Sequence, residues 1–148
     1  MWLDFMHLWR NREQPGSFHR WSIVWLKRIY HLFATSNLLL RPALARRRGA
    51  VVGRLVILGS SRIQGDWSGL SIGDETSLGR CEIALHDKVS IGRRVVINDG
   101  ALILTASHSL RDPAWGHKKA PITIGDYAWI ASNAIVLPGV TIGRGRAV

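Results

Sequence analysis

In the second half of the chain an aliphatic residue returns at every sixth position, and few folds can absorb that spacing. Ile91, Ile97 and Ile103 keep the beat, as do Ile124, Ile130, Val136, Ile142 and Val148. Two places ahead of all but Val148 stands a small or aliphatic residue: Val89, Val95, Ala101, Ile122, Ala128, Ala134 and Val140. Gly73, Gly79, Gly92, Gly125 and Gly143 each directly follow an aliphatic one. A helix face repeats every 3.6 residues and a strand every two, so neither carries a period of six. A solenoid of short strands does. Each six-residue unit makes one flat side and turns a corner, three sides close a coil of about 18 residues, and coils stack about 4.8 Å apart by parallel pairing. Gly, Asn or Asp at a corner can supply the positive φ that a tight bend needs. The same beat runs more loosely upstream through Ile57, Ile63, Ile72, Leu78 and Leu85. The predicted class is an all-β solenoid over residues 51–148, its inward aliphatics forming one continuous stack.

The beat breaks once. Ile103 and Ile124 stand 21 residues apart where the repeat asks for six, which leaves 15 residues outside the coils. They form an excursion at about 106–121, within LTASHSLRDPAWGHKKAPITIG, carrying His108, Trp115, His117, Lys118 and Lys119.

Residues 1–50 are different material, a basic, Trp-rich helical extension. Trp21, Val24, Trp25, Arg28, Ile29 and Leu32 follow 3–4 spacing, the mark of an amphipathic helix. A second apolar patch, LLL at 38–40, is expected to stop at Pro42, with ARRRGA following as a hinge-like basic run. Ten of the 20 Lys and Arg lie in the first 54 residues against only Asp4 and Glu13. That imbalance points to an anionic partner, be it membrane lipid, nucleic acid or a phosphorylated ligand. Cys81 is the only cysteine, so no intrachain disulfide and no cysteine metal cluster can form, and a reducing compartment fits. The apolar run at 21–33 is short and holds Lys27 and Arg28, whereas a spanning helix needs about 20 apolar residues.

IGDYAWIASNAIVLPGVTIGRG at 124–145, with VSIGRRVVINDGALILTASH at 89–108, resembles the hexapeptide-repeat O-acetyltransferases, nearest to the maltose/galactoside acetyltransferase-like branch that includes enzymes of polysaccharide biosynthesis. The likeness covers residues 70–148 well and 51–69 loosely. It implies a left-handed parallel β-helix assembled as a homotrimer. The implied function is acetyl-CoA-dependent O-acetylation of a saccharide hydroxyl, in polysaccharide or cell-surface glycan biosynthesis, with no metal and no nucleic acid. A cytoplasmic protein is implied, and the N-terminal segment adds a peripheral contact with the anionic inner face of the membrane. In the family the catalytic histidine stands 11 residues after the aliphatic position that is Ile97 here, which is His108. A neutral imidazole there can take the hydroxyl proton as it attacks the thioester and return it to the departing sulfur. The tetrahedral oxyanion needs a donor, most simply a backbone N–H.

The resemblance also assigns Trp129 and Ser132 to CoA binding, and Asp87, or its neighbour His86, to binding the acceptor or orienting the base. For Trp129, packing against the excursion is an equal expectation. The corner geometry alone accounts for Asn98 and Asp99. His86, His108 and His117 would suit the zinc-type carbonic anhydrases that share this repeat, but such a site needs three ligands and an open position, and nothing beyond their number supports it. Relatives continue past IGRGRAV with a further coil that supplies most contacts to CoA. A C-terminally truncated chain, weak CoA binding and assemblies larger than a trimer are therefore expected. The alternative function is an inactive β-helix subunit with a binding or scaffolding role.

Overall fold

The computed structural model describes residues 6–7, 10–11, 16–30, 32–109 and 112–148, with the side chains at 28, 30 and 32–39 outside the description. Its strands fall where the hexad beat places them. One face of the solenoid stacks β1 (Val51–Val52), β4 (Leu70–Ile72), β7 (Val89–Ile91), β12 (Ile122–Ile124) and β15 (Thr141–Ile142). The second stacks β2 (Ile57–Leu58), β5 (Ser77–Leu78), β8 (Val96–Ile97) and β13 (Trp129–Ile130). The third stacks β3 (Arg62–Gly65), β6 (Glu82–Leu85), β9 (Leu102–Leu104) and β14 (Ile135–Val136). Neighbouring strands in every face are parallel. The registers put like on like: Ile72 on Ile91 on Ile124 on Ile142, Leu58 on Leu78 on Ile97 on Ile130, and Ile63 on Ile83 on Ile103 on Val136. From the second coil onward these columns are buried, and they are the core.

Gly100, Gly139, Gly145 and Asn133 take the positive φ expected at corners, but the glycines that directly follow an aliphatic residue do a different job. Gly53, Gly73, Gly92 and Gly125 are not at positive φ; that conformation falls two residues later, on Leu55, Glu75, Arg94 and Tyr127. What these glycines provide is closeness. A Cβ on Gly73 would meet Arg93 N at 2.6 Å, and one on Gly125 would meet Arg144 N at 2.7 Å, so the next coil's backbone occupies the space of a side chain. The residues between, Arg54, Asp74, Arg93, Asp126 and Arg144, stack along one edge with alternating charge. Asp74 Oδ1 accepts from Arg54 N at 2.7 Å and Asp126 Oδ1 from Arg93 N at 3.0 Å, while Arg93 Nε reaches Asp126 Oδ2 at 3.4 Å.

Three sequence expectations shift at the ends. In the first coil it is Leu58 that points inward, and Ile57 is partly exposed because the pleat alternates. On the third face Ile83 holds the column position in register with Ile103, two residues before Leu85. Val148, expected inward, is half-exposed, although Val148 N donates to Trp129 O at 3.0 Å.

The N-terminal segment forms α1 (Phe18–Tyr30) and α2 (Leu32–Arg47). Pro42 does not end the second apolar patch; α2 runs through it. An interior proline costs about 3 kcal/mol, and tertiary contacts on both sides of it offset the loss. Arg41 donates to the Gly59 and Ser61 carbonyls, Arg46 Nε donates to Val52 O at 2.9 Å, and Ala45 is fully buried. The helix then closes on Gly49 at φ +101°, with Ala50 N bonded to Ala45 O and Gly49 N to Arg46 O, each at 3.1 Å. The predicted hinge is thus a helix terminus pinned to the first coil, and part of the basic run is spent on backbone carbonyls. Arg28 and Leu32 of the predicted stripe, and Leu38 and Leu39, have side chains outside the described set.

Candidate active site

The excursion leaves the solenoid at the corner after β9 and is a hairpin, β10 (Ala106–His108) paired antiparallel with β11 (His117–Lys119). His108 faces His117 and Ala106 faces Lys119. Side chains alternate along a strand, so these four share one face of the ribbon. That face, with Ser107 and with His86 from the corner after β6, lines a cleft of about 480 Å³.

Thr105 is the root of the hairpin. It is fully buried, and its hydroxyl donates to Ala84 O at 2.6 Å while accepting from His86 N at 2.8 Å and Asp87 N at 3.0 Å. Its own carbonyl accepts from Ala120 N at 3.1 Å, which closes the base of the ribbon. One side chain therefore couples the exit of the hairpin to the corner that presents His86. Thr105→Val keeps the shape and strands two N–H donors, so it is expected to cost on the order of 2 kcal/mol. A lowered urea midpoint with an unchanged slope is the readout; an unchanged midpoint would deny the hydroxyl this part.

Asp112 organises the tip. Its carboxylate accepts from Ala114 N at 2.9 Å and Gly116 N at 3.0 Å, and its carbonyl accepts from Trp115 N at 2.9 Å. Trp115, between the two clamped amides, sits at φ +52°, a conformation L residues avoid unless held. Its carbonyl then receives His108 Nδ1–H at 2.7 Å. A carbonyl oxygen can only accept, so in the neutral ring the proton is on Nδ1 and Nε2 keeps a lone pair. The ring is flanked by Trp115 at 5.9 Å and His117 at 4.5 Å between centroids.

The predicted site residues separate. His108 lies in the cleft. Asp87 holds its own turn, its Oδ1 accepting from Lys88 N at 2.7 Å, and its neighbour His86 is the one that lines the cleft. Trp129 is half-exposed on β13, in the second face, and Ser132 is exposed in the turn after it, so neither is gathered with His108 in one chain. Nor does Trp129 line the cleft beneath the excursion. Thr105 and Asp112 escaped the sequence reading. The Asp-Pro step at 112–113 was the available sign, since Asp before Pro favours a side-chain-closed turn. Cys81 is no nucleophile here: it is buried in the core, and burial pushes its thiol up to about 11. Among the described residues no three His, Cys, Asp or Glu side chains are grouped to hold a metal ion.

No family model matches the chain. It is 33% identical over 111 residues to WcaF of Escherichia coli K12, a protein named as a colanic acid biosynthesis acetyltransferase, and the match takes in 73% of this chain and 60% of that one. The chain thus spans about 60% of the length of the curated relative it matches. The hexapeptide-repeat acetyltransferase VCA0836 of Vibrio cholerae superposes with a TM-score of 0.56 at 28% identity, over 74% of this chain and 68% of that one. Its complex with acetyl coenzyme A gives a TM-score of 0.67 at 24% identity over 97% and 82%, a likeness of fold that takes in the helical extension too. A maltose O-acetyltransferase of Clostridium difficile gives 0.58 at 25% identity over 73% and 63%. Sequence and fold thus agree: the homologues of this chain are acetyltransferases, and its structural neighbours are hexapeptide-repeat acetyltransferases.

Proposed function

We propose that this chain transfers an acetyl group from acetyl-CoA to a saccharide hydroxyl, with His108 as general base. The observation that carries the reading is the 2.7 Å bond from His108 Nδ1 to the Trp115 carbonyl. It fixes the tautomer and leaves Nε2 to take a proton, which is the one service a hydroxyl needs to attack a thioester. As the oxygen bonds to the acetyl carbonyl, its proton passes to Nε2. When the tetrahedral adduct collapses, the C–S bond breaks and the imidazolium returns the proton to the CoA thiolate, so no metal has to enter the balance. The names of WcaF and of the maltose enzyme support a sugar acceptor, and the Vibrio complex supports the donor. A cytoplasmic location suits that donor. Lys119 and His86 in the cleft are placed to contact the acceptor.

The site is completed between copies of a homotrimer. His108 and the pair Trp129 and Ser132 lie on different faces of one solenoid, so CoA held by the latter meets His108 of a neighbouring copy. Mixing tests this. His108→Ala and Trp129→Ala homo-oligomers are each expected to be nearly inactive in acetyl transfer. Co-expressed, they should recover roughly a quarter of wild-type activity, because random assembly restores that share of intact interfaces. Activity no greater than the two variants give separately would sink the shared site.

A further inference from the structure

We infer that α1 is a docking surface for an anionic lipid bilayer. Phe18, Trp21, Trp25 and Ile29 recur at 3–4 spacing along the helix, with Leu26 beside them. Four of the five are strongly exposed: Phe18 at 83%, Leu26 at 70%, Ile29 at 65% and Trp21 at 48%. Phe18 stacks on Trp21 with centroids 6.0 Å apart, and Trp21 meets Trp25 at 5.9 Å, so the aromatics form a ladder along one side. A shallow groove of about 450 Å³ opens at its start, lined by Gly16, Ser17, Phe18 and Trp21. Soluble surfaces rarely leave such a contiguous apolar strip uncovered.

Charge chooses the occupant. Arg20, Lys27 and Arg28 belong to the same helix, and no acidic residue occurs anywhere in 16–30. Arg20 and Lys27 fall on the side of the helix opposite the apolar strip, so a second copy packed strip to strip would leave them with no counter-charge. A bilayer bearing anionic headgroups offers the complement: apolar depth for the aromatics, which favour the interfacial zone, and negative charge for a helix whose polar side is cationic and holds no carboxylate. No helix among the described residues is long and apolar enough to cross a membrane, so the contact lies along the surface. The helix is also free to make it. It is α2 that packs on β1 and β2 and is pinned to the first coil through Arg41 and Arg46, while α1 leans on α2. The inference does not rest on the acetyltransferase reading.

Flotation with phosphatidylcholine vesicles, with and without phosphatidylglycerol, tests it on the full chain. The protein should float with the anionic vesicles at low salt and stay behind with phosphatidylcholine alone or at high salt. Its tryptophan emission should shift to the blue as the vesicles are added. Arg20→Glu with Lys27→Glu should weaken binding at least about tenfold. Trp21→Ser with Leu26→Ser should abolish it without changing the oligomeric mass read by light scattering. Leu26→Ser alone, at a highly exposed position, should weaken binding and guards against a folding defect in the pair. Failure to float with anionic vesicles, equal binding to neutral ones, or unchanged binding by the variants overturns the proposal. So does a loss of oligomeric mass in the Trp21 and Leu26 pair, which would show that another copy covers the strip.

Discussion

His108→Ala is expected to lower kcat by on the order of a hundredfold or more, while acetyl-CoA affinity stays within a factor of about two. The asymmetry follows from where the residue stands. His108 is on the hairpin, and the side chains assigned to CoA are on the second face. Removing the imidazole takes away the proton acceptor without touching the donor's contacts, so the loss belongs to the chemical step. His117→Ala is the control. Its ring lies 4.5 Å from that of His108 and packs it from one side, but the Trp115 carbonyl fixes the tautomer without it. That variant should lose no more than about tenfold. Stopped assays of thiol release, paired with calorimetry for acetyl-CoA, separate the two effects. Full transfer by His108→Ala would remove this residue from the mechanism.

Gly92→Ala is expected to destabilise the fold by about 3 kcal/mol, the upper part of the range for overfilling a packed interior. A Cβ there would sit 2.4 Å from Asp126 Oδ1, 2.7 Å from Asp126 N and 2.9 Å from Gly125 C. The carboxylate can swing aside; the backbone of the next coil cannot, because Gly92 N is bonded to Ile124 O at 2.8 Å on the same edge. Gly143→Ala is the matched control at the equivalent position of the last coil, where the nearest atom is Arg146 Cγ at 3.7 Å. It should be close to neutral. Equal urea midpoints for the two variants would contradict the close-approach reading.

The solenoid was legible in the sequence because its pattern is local and repeats: each inward aliphatic predicts the next, and from Ile91 to Ile142 all of them are buried. The excursion was legible as an interruption of that pattern. Its interior was not, because the pairing of His108 with His117 and the clamp from Asp112 depend on a turn whose geometry no periodicity records. Thr105 looked like any residue between strand and loop; only the fold shows that its hydroxyl has three backbone partners. Proline misled for the opposite reason. Its local preference at Pro42 was read correctly and then outweighed by contacts between α2 and the first coil.

The alternating edge of Arg54, Asp74, Arg93, Asp126 and Arg144 bears on how such a protein can grow. Solenoids lengthen naturally by copying a coil, since a copy finds the same core above and below it. Copying a single coil here would set aspartate over aspartate or arginine over arginine. Each exposed like pair is a small penalty, but the Arg54 and Arg93 amides also donate to the aspartate of the following coil, and an arginine there offers them no acceptor. Copying two adjacent coils preserves both the sign sequence and the acceptors. Along this edge the unit of inheritance is a pair of coils, and a duplication of one would carry an electrostatic fault from its first generation.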